Sequence, residues 1–359
     1  MNNERINRLQ EAMARAGIGH AFIANGPDMF YLIGYATLPL ERITALSIPA
    51  EGDAVLFVPR LEAPRVPEGT VEVVPWDELD DPIAMMAERC RGEDTLAIGD
   101  HMWSVFLIRL LEKVGSPRLI PASEVTRKLR EVKDETEIDA LRRAAAGVDR
   151  VLARIPREVR FAGRTEKEVA ADITRMILEE GHDEAGFAIV ASGPNSASPH
   201  HEPGDRVIQP GDAVVCDFGG SVDGYFSDVT RTFSVGEPSA KLVEVHSVVH
   251  AAGTAARDAV RPGVACQDID RVARRIIEDA GYGEWFIHRT GHGIGVEVHE
   301  HPYIVEGNDA PLARGNAFSV EPGIYLPGEL GVRIEDIVVC GEDGPDTLNQ
   351  ATRDLLVVE

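Results

Sequence analysis

Two hydrophobic rhythms run through this chain, and the changes between them divide it. In residues 4–17, Ile6, Leu9 and Met13 recur on one helical face, and Gly17 offers a stop. Short β-rich runs follow: AFIAN (21–25), FYLIGY (30–35), ITALSIPA (43–50), AVLFVPR (54–60) and VEVVPW (71–76). Helical patterns near 81–91 and 103–114 then alternate with TLAIGD (95–100) and RLIPAS (118–123). This predicts a small N-terminal α/β domain over residues 1–122, with a second domain over 123–359. The second opens with a charged helical stretch, Ser123–Ile155, broken near 132–134. Thr165, with Glu168 three residues on, predicts a capped helix running to Glu180.

From residue 134 the order of elements repeats. Helical segments near 134–155 and 165–180 precede a strand pair carrying acids, and segments near 239–260 and 265–280 precede another. The expected fold class is α/β (α+β), with a pseudo-two-fold second domain.

Those strand pairs carry the candidate chemistry. Asp217 and Asp228 flank the turn-prone run Ser221-Val222-Asp223-Gly224, and a hairpin centred there sets the two acids opposite each other. Glu321 and Glu335 flank Pro327-Gly328-Glu329, and a hairpin centred on Gly328 does the same for them. Like charges directly opposed on a strand pair are destabilising, and charges in apolar surroundings are costly unless paired. Two divalent cations would neutralise four carboxylates. With the imidazole of His292, the oxygen-rich set suits Mn²⁺, with Co²⁺ or Zn²⁺ as other candidates. The plain alternative, four solvent-facing acids on hairpin rims, explains one aspartate better than two matched pairs.

Composition narrows the partners. A chain of 359 residues is expected to form two domains. A net charge of −24 argues against nucleic acid or an anionic membrane surface. Four cysteines without a CxxC pair indicate neither a zinc ribbon nor a disulfide framework. The charged start MNNERINRLQEAM is unlike a signal peptide, and the expected setting is a reducing cytoplasm. The lone His20 and His101 read as structural or surface groups. GHGIG (291–295) lacks the strand–turn–helix context of a dinucleotide-binding loop, and HEHP (299–302) is not the HExxH of a zincin. Glycines 291, 293 and 295 suggest close approach of backbone to a metal or substrate.

The order Asp, Asp, His, Glu, Glu in the contexts DFGG, SDVTRT, GHGIG, EPGIY and RIED resembles the pita-bread metallopeptidases. It is most similar to their proline-specific members, Xaa-Pro dipeptidase (prolidase) and aminopeptidase P. The resemblance implies metal ligands at Asp217, Asp228, His292, Glu321 and Glu335, and a hydroxide held between two metal ions attacking the carbonyl before proline. It implies that Glu321 moves the proton, that His200 and His299 hold substrate and the developing oxyanion, and that His288 lies at the site. His201 is a weaker candidate than His200, and His301 is expected to be peripheral. Arg333, two residues before Glu335, is expected to orient that carboxylate, and Tyr225 either lines the site or is a core aromatic. The implied substrate is a small peptide with proline second, and the implied assembly is a homodimer. One departure stands out: several prolidase-like members carry an arginine shortly after HExP, which the resemblance implies grips the carboxylate of a dipeptide's C-terminal proline, and here Tyr303 follows HEHP. Aminopeptidase P, a non-peptide C–N hydrolase or lyase on the same scaffold, and a non-catalytic binding protein are the other readings.

Overall fold

A computed structural model describes residues 4–359. The chain divides into two compact units, one ending at Arg130 and the other running Glu131–Glu359.

The first unit contains α1 (Glu4–Ala16), β1 (His20–Ala24), α2 (Pro27–Ile33), β2 (Ala45–Pro49), β3 (Val55–Pro59) and β4 (Glu72–Trp76). It continues with α3 (Pro82–Arg89), β5 (Thr95–Ile98), α4 (Ser104–Val114), β6 (Arg118–Pro121) and α5 (Ser123–Arg130). The strands form one mixed six-stranded sheet in the order β4-β3-β2-β1-β5-β6. Its core includes Phe22, Phe57, Trp76, Met86, Leu96 and Leu110.

Two expectations change here. FYLIGY is not a strand but most of α2 followed by its cap. Pro27 opens the helix and Gly34, at φ 66°, closes it, with its N–H on Phe30 O. Proline at the first turn and a left-handed glycine after the last bracket a helix, and that outweighs the aromatic, strand-like composition. The expected boundary at 122/123 also moves to 130/131. α5 buries Val125 and Leu129, and Asp28 accepts from Arg130 Nη1 at 2.7 Å and Thr126 Oγ1 at 2.8 Å. Apolar faces and a half-buried ion pair tie this charged helix to the first unit.

The second unit begins with α6 (Glu135–Glu158), α7 (Glu166–Glu179), β7 (Glu184–Ser192), β8 (Ala213–Val222), β9 (Tyr225–Phe226) and β10 (Val229–Val235). Then come α8 (Ala240–Asp258), α9 (Cys266–Asp279), β11 (Gly291–Gly293), β12 (Glu300–Ile304), β13 (Ala317–Val320) and β14 (Gly323–Leu326). It ends with β15 (Leu330–Arg333), β16 (Asp336–Cys340), β17 (Pro345–Thr347) and β18 (Leu356–Val358). Reciprocal capping boxes start α6 (Asp134 with Glu137) and α7 (Thr165 with Glu168).

The repeated order of elements gives two similar half-cores. One packs α6 and α7 on the sheet β18-β10-β8-β7 through Val151, Ile155, Ile173, Ile177, Phe218 and Phe233. The other packs α8 and α9 on strands β13 to β16 through Val245, Val249, Ile269, Ala273, Phe318 and Val338. The halves meet where Glu335 forms an isolated antiparallel bridge with Thr230. No helix among the described residues is long and apolar enough to cross a membrane.

Candidate metal centre and active site

The acid pairs arise from the two hairpins, one in the expected register and one displaced. Along β13–β16 and β14–β15, Val320 faces Asp336 and Gly323 faces Arg333, so the interrupted ladder between them sets Glu321 against Glu335. The other hairpin turns one residue later than expected. Val222 pairs with Tyr225, leaving Asp223 (φ 51°) and Gly224 (φ 77°) at its tip. A two-residue turn needs positive φ at both central positions, which Asp-Gly provides. Asp217 therefore faces Thr230 rather than Asp228. Asp228, two residues before Thr230, is the diagonal neighbour on the same side, because strand faces repeat every second residue.

The register of β11 places the imidazole. Gly291 and Gly293 are needed there for strand packing: a Cβ at 291 would lie 1.8 Å from Ser319 O, and one at 293 would lie 2.2 Å from His301 O. What approaches these two glycines is neighbouring backbone. His292 N donates to Ser319 Oγ at 3.0 Å. Its ring Nδ1 lies 3.1 Å from Gly293 O, a carbonyl that can only accept, so Nδ1 carries the proton. Nε2 then faces Glu321 Oε1 at 3.2 Å and Asp228 Oδ2 at 3.7 Å. A lone pair pointed at two carboxylates needs a proton or a cation between them.

Asp228, His292 and Glu335 each present a ligand atom within 4.8 Å of one another, and all three are buried. Asp217 Oδ1, Asp228 Oδ1 and Glu335 Oε1 are buried without a hydrogen-bond donor. Orphaned acceptors are rare in interiors because each costs its full desolvation. Those of Asp228 and Glu335 belong to the cluster with His292, Asp217 is close enough that its charge acts on both, and a hard divalent cation is the group that satisfies such acceptors. The electrostatics agree. Burial, then Glu335 and the other acids, hold Asp228 well above the usual carboxylate range. Burial, then Glu321 and Asp217, do the same for Glu335. Burial also works to raise Glu321, but a proton between it and His292 Nε2, together with the nearby charge of Arg333, holds it down at about 2.

Arg333 serves a different acid from the one expected. Its Nη2 donates to Asp217 Oδ2 at 2.6 Å, its Nε to Thr230 Oγ1 at 3.1 Å and its Nη1 to Tyr325 Oη at 2.9 Å. Glu335 is reached through Thr230, whose hydroxyl donates to Glu335 Oε2 at 2.7 Å. Arg333 lies in β15 and Glu335 beyond its end, so the pleat does not carry one to the other. Tyr225 is turned toward α6, where its hydroxyl donates to Glu137 Oε1 at 2.8 Å. This is the core-aromatic alternative.

The remaining histidines differ in placement. His299 stands edge-on to His292, ring centroids 4.2 Å apart, and burial, then His292 and Arg289, lower its pKa. His288 contacts Arg289 O through Nδ1 at 2.7 Å and Tyr325 Oη through Nε2 at 2.8 Å. Burial pushes its pKa down, and the neutral ring accepts from the tyrosine. His200 is exposed on the turn after Pro199, close enough that its charge opposes protonation of His288 and His299. His201 is drawn away to Glu166 Oε2 at 2.7 Å. Thr230, Ser319 and Tyr325 were not singled out from sequence. Tyr325 lay within the quoted EPGIY, but the hydroxyl contacts that matter cross between strands far apart in the chain.

Comparison with known proteins matches this geometry to a family. The profile of metallopeptidase family M24 matches residues 139–342, and that of the creatinase/prolidase N-terminal domain matches residues 5–132. The chain belongs to metallopeptidase family M24. A probable dipeptidase PepE of Mycobacterium tuberculosis is 46% identical over 99% of this chain and 96% of its own length. An Xaa-Pro dipeptidase of Lactobacillus delbrueckii subsp. lactis is 36% identical over 98% of both. The crystal structure of a prolidase from Thermococcus sibiricus aligns over 100% of both chains, with 40% identity and a TM-score of 0.95. The M24 fold is the pita-bread fold expected from the motifs, and the chain is a peptidase of that family.

Proposed function

We propose that this chain is a metal-dependent Xaa-Pro dipeptidase. The observation that carries the reading is the cluster of Asp228, Glu335 and His292, in which each carboxylate keeps a buried oxygen without a donor and the histidine's Nε2 is free of its own backbone. The M24 relatives named as dipeptidases, over nearly the full length of both chains, support the substrate class.

Asp217, Asp228, His292, Glu321 and Glu335 would hold two divalent cations, with Mn²⁺ the best fit to the donor set and Co²⁺ or Zn²⁺ the alternatives. Such ions supply a nucleophile at neutral pH, since they can lower the pKa of water from about 15.7 to roughly 7, and they polarise the scissile carbonyl. The chain's own groups do the rest. Asp228 and Glu335 contribute the shared charge, while Thr230 and Arg333 hold Glu335 and Asp217 in place. Glu321, kept ionised by His292, accepts a proton and passes it to the proline nitrogen as that nitrogen leaves. His299 and His200 donate to the substrate carbonyl as charge develops on its oxygen. His288, fixed by Tyr325, shapes the same wall.

The four cysteines are free and buried, in keeping with action in the cytoplasm, and a homodimer is the expected assembly. The deciding test is hydrolysis of Ala-Pro, Ala-Pro-Ala and Ala-Ala by the Mn²⁺-loaded protein. Selective cleavage of Ala-Pro is the expected result. Preference for Ala-Pro-Ala would make it an aminopeptidase P, the reading that Tyr303 in place of an arginine favours. No cleavage of any peptide with metal bound would point to a non-peptide C–N bond.

A further inference from the structure

Among the described residues Arg289 is a cation without a counter-ion, in a protein that has 60 acidic and 36 basic side chains. Its guanidinium makes no hydrogen bond or ion pair with any described residue and lies over the Tyr303 ring, 4.2 Å from the centroid. Nearby Arg274 shows what an arginine stacked for structural reasons looks like. It sits over Phe286 at the same 4.2 Å, but its N–H groups are used on both oxygens of Asp270 and on the carbonyls of Phe286 and His288. Arg289 lies at the same distance from its ring with its donors unused by any described residue.

Its position is at the reaction centre. Tyr303 is the cross-strand partner of His292 in the β11–β12 pair, and the Arg289 carbonyl anchors the His288 ring. A guanidinium resting over an aromatic ring keeps its N–H groups available for a planar, two-oxygen anion. Tyr303, which stands where an arginine after HEHP would be expected, is the surface on which Arg289 rests.

We propose that Arg289, held over the Tyr303 ring, receives the free C-terminal carboxylate of the substrate, which makes the site selective for dipeptides. This rests on the Xaa-Pro dipeptidase reading and adds how that enzyme recognises chain length.

The test compares kcat/KM for Ala-Pro and for Ala-Pro amide, which lacks the carboxylate, on the same preparation of Mn²⁺-loaded wild type, R289Q and R289K. The ratio of the two rates is independent of the folded fraction. In wild type it favours Ala-Pro. In R289Q it should fall by about 10- to 100-fold, chiefly through KM, as expected for loss of a charge-assisted bidentate contact, and R289K should recover part of it. A ratio unchanged in R289Q, or no wild-type preference for the free carboxylate, overturns the proposal. Failure of wild type to cleave either substrate would instead refute the Xaa-Pro reading. Even then, L-proline should raise the wild-type Tm more than prolinamide does, and equal shifts count against Arg289.

Discussion

Replacing Thr230 with valine removes one hydroxyl and keeps the side-chain shape. That hydroxyl is fully buried, donates to Glu335 Oε2 at 2.7 Å and accepts from Arg333 Nε at 3.1 Å. The substitution leaves a carboxylate oxygen and a guanidinium N–H facing methyl groups. A hydrogen bond to a charged group contributes about 1.5–3 kcal/mol, and an orphaned buried donor costs a further ~1–3 kcal/mol, so a loss of about 2.5–6 kcal/mol is expected. Because Glu335 then swings more freely, divalent-ion affinity should also fall, by about 10- to 100-fold as for other groups that orient ligands. Denaturant unfolding of metal-free protein reads the first effect, as a lower midpoint at unchanged slope. Competition with a metal indicator reads the second. A destabilised variant that binds Mn²⁺ as tightly as wild type would falsify the claim that Thr230 sets the Glu335 carboxylate.

The other predictions concern the supports of the site. Glu166 is fully buried and accepts from Ser192 N and Oγ, Asn195 Nδ2, His201 Nε2 and Gly204 N. Glu166→Gln turns two donors toward these donors, so the loop 193–204 that carries His200 should become open to limited proteolysis. Unchanged protease resistance would show that the loop is held by other means. His246 on α8 is pushed down to about 4 by burial and by His250. The unfolded chain therefore takes up the proton first, and its stability contribution, complete above about pH 6.5, is lost as pH falls toward 4. Unfolding free energy should drop by about 2 kcal/mol between pH 7 and pH 5 on this account alone. His246→Leu should shrink the drop by that amount, and an identical pH dependence in the variant would contradict the assignment.

Much of this was legible in the sequence because spacing constrains strand pairs strongly. The Pro-Gly-Glu turn sets the register that brings Glu321 to Glu335, and alternation along a strand kept Asp217 and Asp228 on one side even though their turn was placed one residue early. Centring the turn on the whole turn-prone run 221–224 misses that the positive-φ requirement selects Asp223-Gly224. The glycines of GHGIG were marked as sites of close approach, but only the sheet reveals that strands β12 and β13 approach them. The contacts of Arg333 were less legible. A guanidinium reaches past its own strand, and its partners Asp217 and Thr230 lie over a hundred positions away. Tyr225 turned to α6 for a similar reason: its partner Glu137 belongs to a helix that the local pattern assigns to solvent on one face and core on the other.

The most direct test of the central claim is metal analysis after equilibrium dialysis against Mn²⁺, with Ala-Pro hydrolysis assayed on the same samples. Wild type should retain two equivalents and be active. Asp228→Asn and Glu335→Gln should retain fewer and be inactive. Full hydrolysis by metal-free wild type, or wild-type metal content and activity in either variant, would contradict a dinuclear centre built on these carboxylates.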